Sequence, residues 1–215
     1  MSDFLIKDGQ LFLFQGDSIT DAGRRGANAP YGVGYASMFR EMVIANYPER
    51  AIRFINKGIG GDKTVGLRDR WEDDVIRHQP NWLSILIGIN DLHTFLLNGQ
   101  PCVTVDLYRE AYSDILAMTK EKTDAQILLI DPFFISVATS EDSFRKRVLD
   151  TIVEYIAVVD EMAEEYGCMQ IKLHDIYQAH LKLREAETFC NEPVHPGHAG
   201  HIIIASEMMK ALTAD

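Results

Sequence analysis

The sequence predicts an α/β fold in which a parallel sheet of five strands is covered by helices on both faces. Three observations support this fold class. Five short runs rich in Val, Ile, Leu and Phe recur along the 215 residues, amphipathic segments lie between them, and the runs are continuously apolar rather than alternating. Strands that alternate with helices in this way form parallel sheets with right-handed crossover connections.

The five predicted strands are runs of four or five residues, which is a usual strand length. Residues 11–15 read LFLFQ and residues 83–87 read LSILI, which suits strands buried on both faces. The other three strands are predicted at residues 52–56 (IRFIN), 126–130 (QILLI) and 170–173 (QIKL).

The predicted helices lie between the strands and carry apolar residues at helical spacing. In the first, over residues 35–43, Tyr35, Phe39 and Val43 fall on one face. The others cover residues 67–75, 108–115, 148–163 and 202–212. The chain has no internal repeat and no linker rich in Pro, Gly or Ser, so we expect residues 1–215 to form a single domain.

Composition indicates a soluble globular protein and argues against two classes of partner. Hydrophobic residues make up 47% and charged residues 25% of the chain, and the net charge is −11. A protein that binds nucleic acid or an anionic membrane needs a basic patch. No run of Lys or Arg stands apart from acidic neighbours. We therefore expect neither nucleic acid nor membrane as a partner.

The N-terminus and the cysteines predict a cytoplasmic location. The first residues lack the basic and apolar regions of a signal peptide, and no stretch approaches the ~18 apolar residues of a membrane span. Cys102, Cys168 and Cys190 are few, odd in number and widely spaced. Such a set indicates reduced thiols rather than disulfides.

Polar residues and glycines follow the predicted strands. GDS follows the first strand, NKGIGG the second, GIND the third and DP the fourth, and the last strand leads through a long connection to EPVHP. In a parallel sheet the carboxyl ends of the strands lie at one edge, which is where such folds bind ligands. The sequence therefore predicts that Ser18, Gly61, Asn90 and His195 converge there.

These residue types suit acyl transfer by a serine nucleophile. The Ser18 hydroxyl needs an adjacent base, for which His195 is the candidate. The histidine needs a carboxylate to orient it, and Glu192 lies three residues before it. The negative oxygen that develops on the substrate needs hydrogen-bond donors. The backbone N–H groups of Ser18 and Gly61 and the side-chain amide of Asn90 are the candidates.

Other interpretations of these segments are open at this point. Taken alone, GDSIT is typical of a strand end followed by a helix N-cap. The glycine-rich segment GIGG fits neither the dinucleotide-binding nor the phosphate-binding loop pattern, so we expect no nucleotide and no cofactor. Arg24, Arg25 and Tyr31 follow the serine and are candidates for substrate contact, although ordinary loop variation explains them as well.

The histidines of VHPGHAGH invite a metal-binding interpretation. His195, His198 and His201 recur every third residue. Pro196 and Gly197 interrupt the helical register between the first two, however, and no Cys or carboxylate pattern of a known zinc site accompanies them. We therefore expect no metal.

Four blocks in order, namely GDSIT, the loop that contains Gly61, GIND and VHP, resemble the SGNH (GDSL-type) hydrolases. Each block alone is weak evidence, but the four follow the family's order from about Leu11 to Ala205. The stretch from NKGI through RWEDDVI to WLSILIGIND is most similar to bacterial SGNH esterases that deacetylate sugars, including acetylxylan esterases.

The resemblance implies a flavodoxin-like, three-layer α/β/α sandwich with a five-stranded parallel sheet. It implies that Ser18 is the nucleophile and His195 the base. It also implies that Gly61 and Asn90 join the Ser18 amide in an oxyanion hole.

One position departs from the family pattern, which has aspartate three residues before the histidine where this chain has Glu192. Glutamate is one methylene longer, so its carboxylate must fold back or the loop must shift. Ser-His-Glu arrangements do occur among hydrolases. The alternatives for orienting His195 are Asp175, at the end of the last predicted strand, and a backbone carbonyl.

The expected function is that of a serine esterase that hydrolyses short acyl esters, above all acetyl esters, on sugars or xylo-oligosaccharides. The expected partner is a small acylated molecule, and the mechanism needs no cofactor. The sequence leaves the oligomeric state open, although homo-oligomers are common among enzymes. The alternatives are a thioesterase or lysophospholipase of the same family and a non-catalytic carbohydrate-binding relative.

Overall fold

The computed structural model describes residues 3–138 and 140–214 and contains a five-stranded sheet. Its strands are β1 Leu11–Gly16, β2 Arg53–Asn56, β3 Trp82–Leu86, β4 Gln126–Ile130 and β5 Met169–Ile171. All neighbouring strands are parallel, in the order β2-β1-β3-β4-β5. The predicted fold class is confirmed, and each strand lies within two residues of its predicted bounds.

The helices form two layers, one on each face of the sheet. They are α1 Ser18–Asp21, α2 Tyr35–Asn46, α3 Thr64–Asp69, α4 Trp71–Asp74, α5 Ile89–Leu96, α6 Val105–Lys122, α7 Phe144–Tyr166, α8 Leu173–Leu181 and α9 His198–Ala211. α2 packs on α9, while α3, α5, α6 and α7 pack together. The chain moves from β1 to β2 in one direction and back to β3 in the other, so right-handed crossovers place α2 and α3 on opposite faces.

The core is centred on β1, whose six residues are all buried. The Phe12 ring lies 4.8 Å from that of Phe14 and 5.2 Å from that of Phe39, centroid to centroid. Aromatic pairs at such distances contribute about 0.5–1.5 kcal/mol each beyond the burial of their area. The apolar strand LFLFQ therefore anchors the segment that carries Ser18.

The structure corrects one helix prediction and one strand prediction. The helix predicted over 67–75 is two short helices, α3 and α4, because the backbone of Arg70 (φ −112°, ψ 8°) interrupts the helical path between them. A 3-10 turn, Ile76–His78, follows them. Leu173, predicted to end the last strand, begins α8 instead. Asp175 therefore lies inside α8 and not at a strand end.

The order of the strands creates a crevice at the end of β1. Connections from β1 and β3 leave towards opposite sides, which makes their carboxyl ends the switch point where sheets of this order bind ligands. Gly16 at the end of β1 is aligned with Leu86 at the end of β3. Ser18 and Asn90 each follow these ends by a few residues, so the two predicted site residues flank the same crevice.

Candidate active site

Ser18 is the first residue of α1, a helix of four residues directly after β1. Asp17 is its N-cap, and the Asp17 Oδ1 atom accepts a hydrogen bond of 2.9 Å from the Ile19 N–H. Gly16 allows this sharp turn, because a Cβ at that position would lie only 2.4 Å from the Leu86 carbonyl oxygen. The helix-cap interpretation of GDSIT is therefore correct, and it is compatible with a nucleophile.

His195 lies against the Ser18 hydroxyl. The distance from Ser18 Oγ to His195 Nε2 is 2.8 Å, although the two residues are 177 positions apart in the chain. The segment around His195 is held in place by a hydrogen bond of 2.8 Å from the Ile135 N–H to the Pro193 carbonyl. The contact between serine and histidine expected from the sequence is present.

Glu192 contacts the other side of the His195 ring. Its Oε1 atom meets His195 Nδ1 and also accepts a hydrogen bond of 2.8 Å from the His195 backbone N–H, while Oε2 accepts one of 3.0 Å from the Val194 N–H. Burial raises the pKa of the Glu192 carboxyl, but these hydrogen bonds outweigh burial and bring its pKa below the ordinary value. Glu192 is thus held as a carboxylate beside the imidazole.

Asp175, the alternative partner for His195, does not take this position. It lies exposed in α8. The displacement follows from the end of β5 at Ile171, two residues earlier than predicted.

Gly61 occupies the third position of a four-residue turn after β2. The turn is closed by a hydrogen bond of 3.2 Å from the Asp62 N–H to the Ile59 carbonyl, and Gly61 has φ +78°. Such a turn requires positive φ at this position, which glycine adopts without steric cost. Among the hydrogen bonds of the described residues, neither the Gly61 N–H nor the Ser18 N–H has a protein acceptor. Both are therefore free to bind a ligand.

The Asn90 side chain joins the loops that follow the first three strands. Asn90 lies in the first turn of α5, and its Nδ2 donates to the Asp62 carbonyl at 3.0 Å and to Asp17 Oδ2 at 3.3 Å. Because both partners are acceptors, the amide nitrogen and not the oxygen faces them. The side chain lies between the loops after β1 and β2, and both of its N–H groups have protein acceptors.

Two buried carboxylates, Asp17 and Asp91, lie beneath these groups. Burial raises the pKa of Asp17 to about 7, and the charges of Asp91 and Asp62 act in the same direction against the hydrogen bond from Ile19. Burial also raises the pKa of Asp91 to about 6, against hydrogen bonds from the Thr64 hydroxyl and N–H. The second Asp91 oxygen is buried without a partner in the described part of the chain.

The chain that carries this site matches a known protein family over most of its length. The sequence profile of the GDSL-like Lipase/Acylhydrolase family matches residues 14–203. The chain belongs to this family. It is a carboxylic ester hydrolase with an α/β fold, as the resemblance implied.

Similar proteins of known sequence and structure agree with this assignment. The chain is 34% identical to an acetylxylan esterase of Geobacillus stearothermophilus, over 96% of this chain and 95% of that protein. The crystal structure of that esterase superposes with a TM-score of 0.86. An α/β hydrolase from the metagenome of Lake Arreo, Spain, superposes with a TM-score of 0.87 at 26% identity, covering 98% of each chain.

A cavity opens beside the serine of this acylhydrolase. It has a volume of about 390 Å³, and we call it the Ser18 cavity. Its lining consists of Ser18, Asp21, Ala22, Gly23, Arg25, Gly26 and Gly60. Its size is that of a small-molecule site. The cavity thus gives a small ester access to the Ser18 hydroxyl.

Sequence reasoning missed Arg70, which ties the loops of this site together. Its guanidinium binds Asp62 Oδ2 at 2.8 Å, the Lys57 carbonyl at 3.0 Å and Gln15 Oε1 at 3.0 Å, and it also contacts Asp74. In the helix predicted over 67–75, Arg70 and Asp74 would lie four residues apart on one face, and this spacing was the signal in the sequence. No sequence pattern indicated the bonds that Arg70 makes to Gln15 and Lys57 at the strand ends.

His198 and His201, the other two histidines of VHPGHAGH, have structural positions in the acylhydrolase. His198 begins α9, and His201 Nδ1 accepts a hydrogen bond of 3.1 Å from the Tyr35 N–H, with its pKa lowered to about 4 by burial. Within residues 3–138 and 140–214, no group of three or more His, Cys, Asp or Glu could hold a metal. No helix in those ranges is long and apolar enough to cross a membrane.

Proposed function

We propose that this acylhydrolase is a serine esterase that removes acetyl groups from sugars or xylo-oligosaccharides through Ser18, His195 and Glu192. The observation that carries the proposal is the chain of contacts from Ser18 Oγ to His195 Nε2 at 2.8 Å and from His195 Nδ1 to Glu192. A serine hydroxyl in contact with an imidazole that a carboxylate orients is the arrangement that activates serine nucleophiles.

The reaction would proceed through an acyl-enzyme. His195 Nε2 accepts the Ser18 proton as the serine oxygen attacks the ester carbonyl, and Glu192 stabilises the imidazolium that results. His195 then donates this proton to the leaving alcohol. Water, deprotonated by the same histidine, attacks the acyl-enzyme and releases acetate and free Ser18.

The oxyanion of the tetrahedral intermediate would bind the free N–H groups of Ser18 and Gly61. These donors support the proposal because they have no other acceptor among the described contacts. Asn90 supplies the third donor when one of its N–H groups turns from Asp17, the longer of its two contacts at 3.3 Å, towards the substrate. Catalytic hydrogen bonds often tighten only in the transition state.

Similar proteins support both the acetyl group and the residues. Structures of the Geobacillus stearothermophilus esterase are described as catalytic mutants in which a serine, an aspartate or a histidine is replaced, the aspartate three residues before the histidine. Glu192 and His195 have this spacing. Further variants of this enzyme, an acetyl-xylooligosaccharide esterase, have also been crystallised.

We also propose a reducing, cytoplasmic setting, which the three free cysteines support.

The first test is the rate of p-nitrophenyl acetate hydrolysis by Ser18→Ala. We expect kcat to fall by about 10⁴-fold or more, since the nucleophile is lost. The matched control is Ser206→Ala, which removes a half-buried hydroxyl of α9 and should retain the wild-type rate. Equal rates for Ser18→Ala and wild type would refute the proposal.

A series of p-nitrophenyl esters tests the acetyl assignment. We expect the highest kcat/KM for acetate, because the chain is similar over nearly its whole length to an acetylxylan esterase. Each buried CH₂ would add about 0.8 kcal/mol in a thioesterase or lysophospholipase, so a maximum at eight or more carbons would contradict the assignment. A non-catalytic binding protein would leave Ser18 unlabelled by a fluorophosphonate probe.

A further inference from the structure

We propose that the Ser18 cavity binds the alcohol part of the ester, a neutral sugar, and that Arg25 determines specificity for it. The inference rests on the proposed esterase function and names the part of the substrate that this cavity recognises. It follows from the position, the size and the charge of the cavity, and from the way in which Arg25 is held.

The size of the cavity assigns it to the alcohol rather than to the acyl group. An acetyl group has two carbons and one carbonyl oxygen, which the oxyanion donors bind. It neither fills a volume of about 390 Å³ nor uses charged partners. The alcohol part of a sugar ester is larger and carries several hydroxyl groups. A cavity that lies next to the nucleophile and has a charged pair in its lining matches that half of the substrate.

Asp21 holds Arg25 in a fixed orientation at this cavity. The Asp21 side chain is only 10% exposed, and its Oδ2 atom binds Arg25 Nε at 3.1 Å and an Arg25 terminal nitrogen at 2.9 Å. Both contacts converge on one carboxylate oxygen and hold the Nε edge of the guanidinium against Asp21. Asp21 also accepts from the N–H groups of Gly60 at 3.1 Å and Arg24 at 3.1 Å. The same carboxylate thus positions Arg25 and the glycine loop.

Arg25 retains donors for a ligand. A guanidinium has five N–H groups, of which the Nε–H donates to Asp21, and the N–H groups on the terminal nitrogens form no hydrogen bond among the described residues. The Arg25 side chain is 55% exposed and lines the cavity. These donors suit the hydroxyl and ring oxygens of a sugar.

The charge of the cavity favours a neutral sugar over an acidic one. Arg25 and Asp21 are the charged residues of the lining, and their charges cancel. An anionic sugar would gain from Arg25 but would be repelled by Asp21. Hydroxyl oxygens can bind the free N–H groups without separating the ion pair.

The test compares Arg25→Ala with wild type on two acetate esters, a monoacetylated methyl xyloside and p-nitrophenyl acetate. The aromatic ester has no sugar hydroxyls. We expect the ratio of kcat/KM for the xyloside to kcat/KM for p-nitrophenyl acetate to fall by about tenfold, through a higher KM for the xyloside. Arg25→Lys keeps the charge but loses the planar set of donors, so it should recover only part of the ratio.

Arg77→Ala is the matched control. Arg77 forms an ion pair of 2.7 Å with Asp73 at the same four-residue spacing, before β3 and thus at the opposite edge of the sheet. We expect its ratio to equal that of wild type. An unchanged ratio in Arg25→Ala would overturn the inference, as would a wild type that cleaves p-nitrophenyl acetate but not the xyloside. If wild type cleaves neither ester, the proposed esterase function fails as well.

Discussion

Glu192 reaches the His195 ring because its carboxylate turns back onto its own loop. The N–H groups of Val194 and His195 both donate to it, at 3.0 Å and 2.8 Å. These bonds hold the side chain in a folded conformation, which compensates for the methylene group by which glutamate is longer than aspartate. The longer side chain is therefore accommodated by a local turn, and Pro193 between the two residues keeps its bond to Ile135.

A charge-removing substitution tests whether Glu192 orients His195. In Glu192→Gln the amide no longer stabilises the imidazolium, and we expect kcat to fall by about 10²–10⁴-fold with KM nearly unchanged. Glu192→Asp retains the charge but shortens the reach, so we expect a smaller loss of about tenfold. Steady-state kinetics with p-nitrophenyl acetate measures both.

Asp175→Asn separates this role from the alternative that the sequence leaves open. Asp175 lies exposed in α8, so its variant should retain the wild-type kcat. A wild-type rate in Glu192→Gln together with a loss in Asp175→Asn would reverse the assignment.

The element that presents the Gly61 N–H is a four-residue turn, and the direction of that N–H depends on the backbone of Gly61. With φ +78° at the third position, the peptide between Gly60 and Gly61 has one orientation, and a residue that avoids positive φ would turn this peptide over. A Cβ at Gly61 would meet no atom within 4 Å, so any cost of substitution comes from the backbone and not from crowding.

Gly61→Ala therefore tests whether the orientation of the Gly61 N–H in this turn matters for catalysis. We expect the free energy of unfolding to fall by about 1–2 kcal/mol. We also expect kcat to fall by about 10²–10³-fold, since one oxyanion donor is displaced.

Gly9→Ala is a close control for the Gly61 variant. Gly9 has φ +74° at the third position of a turn closed from the Gln10 N–H to the Lys7 carbonyl, and its Cβ would also meet nothing within 4 Å. It should lose the same stability and keep its activity, as urea denaturation and steady-state rates can show. Equal losses of activity in the two variants would mean that Gly61 acts only through stability.

The sequence predicted the strands and helices that are long enough to show a recognisable apolar pattern. The five strands and the long helices α2, α6, α7 and α9 have apolar runs or helical spacing, which burial imposes directly on the residue types. α1 has four residues and α5 eight, too few for a period to stand out. At the break, the Arg70 side chain bonds to Asp62 and Gln15, which are eight and 55 residues away, and such contacts leave no local pattern.

The site was predictable to the level of residue types at strand ends, but not to the level of hydrogen bonds. Ser18, Gly61, Asn90 and His195 come together because parallel strands end at one edge of the sheet. That Asn90 donates to both Asp62 and Asp17 follows from the way in which three loops pack, and no sequence pattern encodes it. Their catalytic roles stay predictions for the experiments above.

At the scale of the whole molecule, two buried carboxylates that follow strands β1 and β4 make folding depend on pH. Burial raises the pKa of Asp17 to about 7 and that of Asp131 to about 7, well above the ~3.9 of an unfolded chain. The folded state therefore binds more protons than the unfolded state between about pH 4 and pH 7. In this window the free energy of unfolding contributed by these groups falls as pH rises, and the cost is fully present above about pH 7.

Asp17→Asn should relieve this cost and impair the site at the same time. The asparagine oxygen can still cap α1 through the Ile19 N–H, but its NH₂ group would face the Asn90 amide, which then loses an acceptor. Urea denaturation should show the variant gaining stability over wild type as pH rises from about 5 to 8, while kcat falls. Asp131→Asn should show the same gain and keep kcat, since Asp131 bonds to Gln170 and not to Asn90. A gain that is independent of pH would mean that Asp17 does not titrate in this window, and a wild-type kcat would mean that Asn90 does not depend on it.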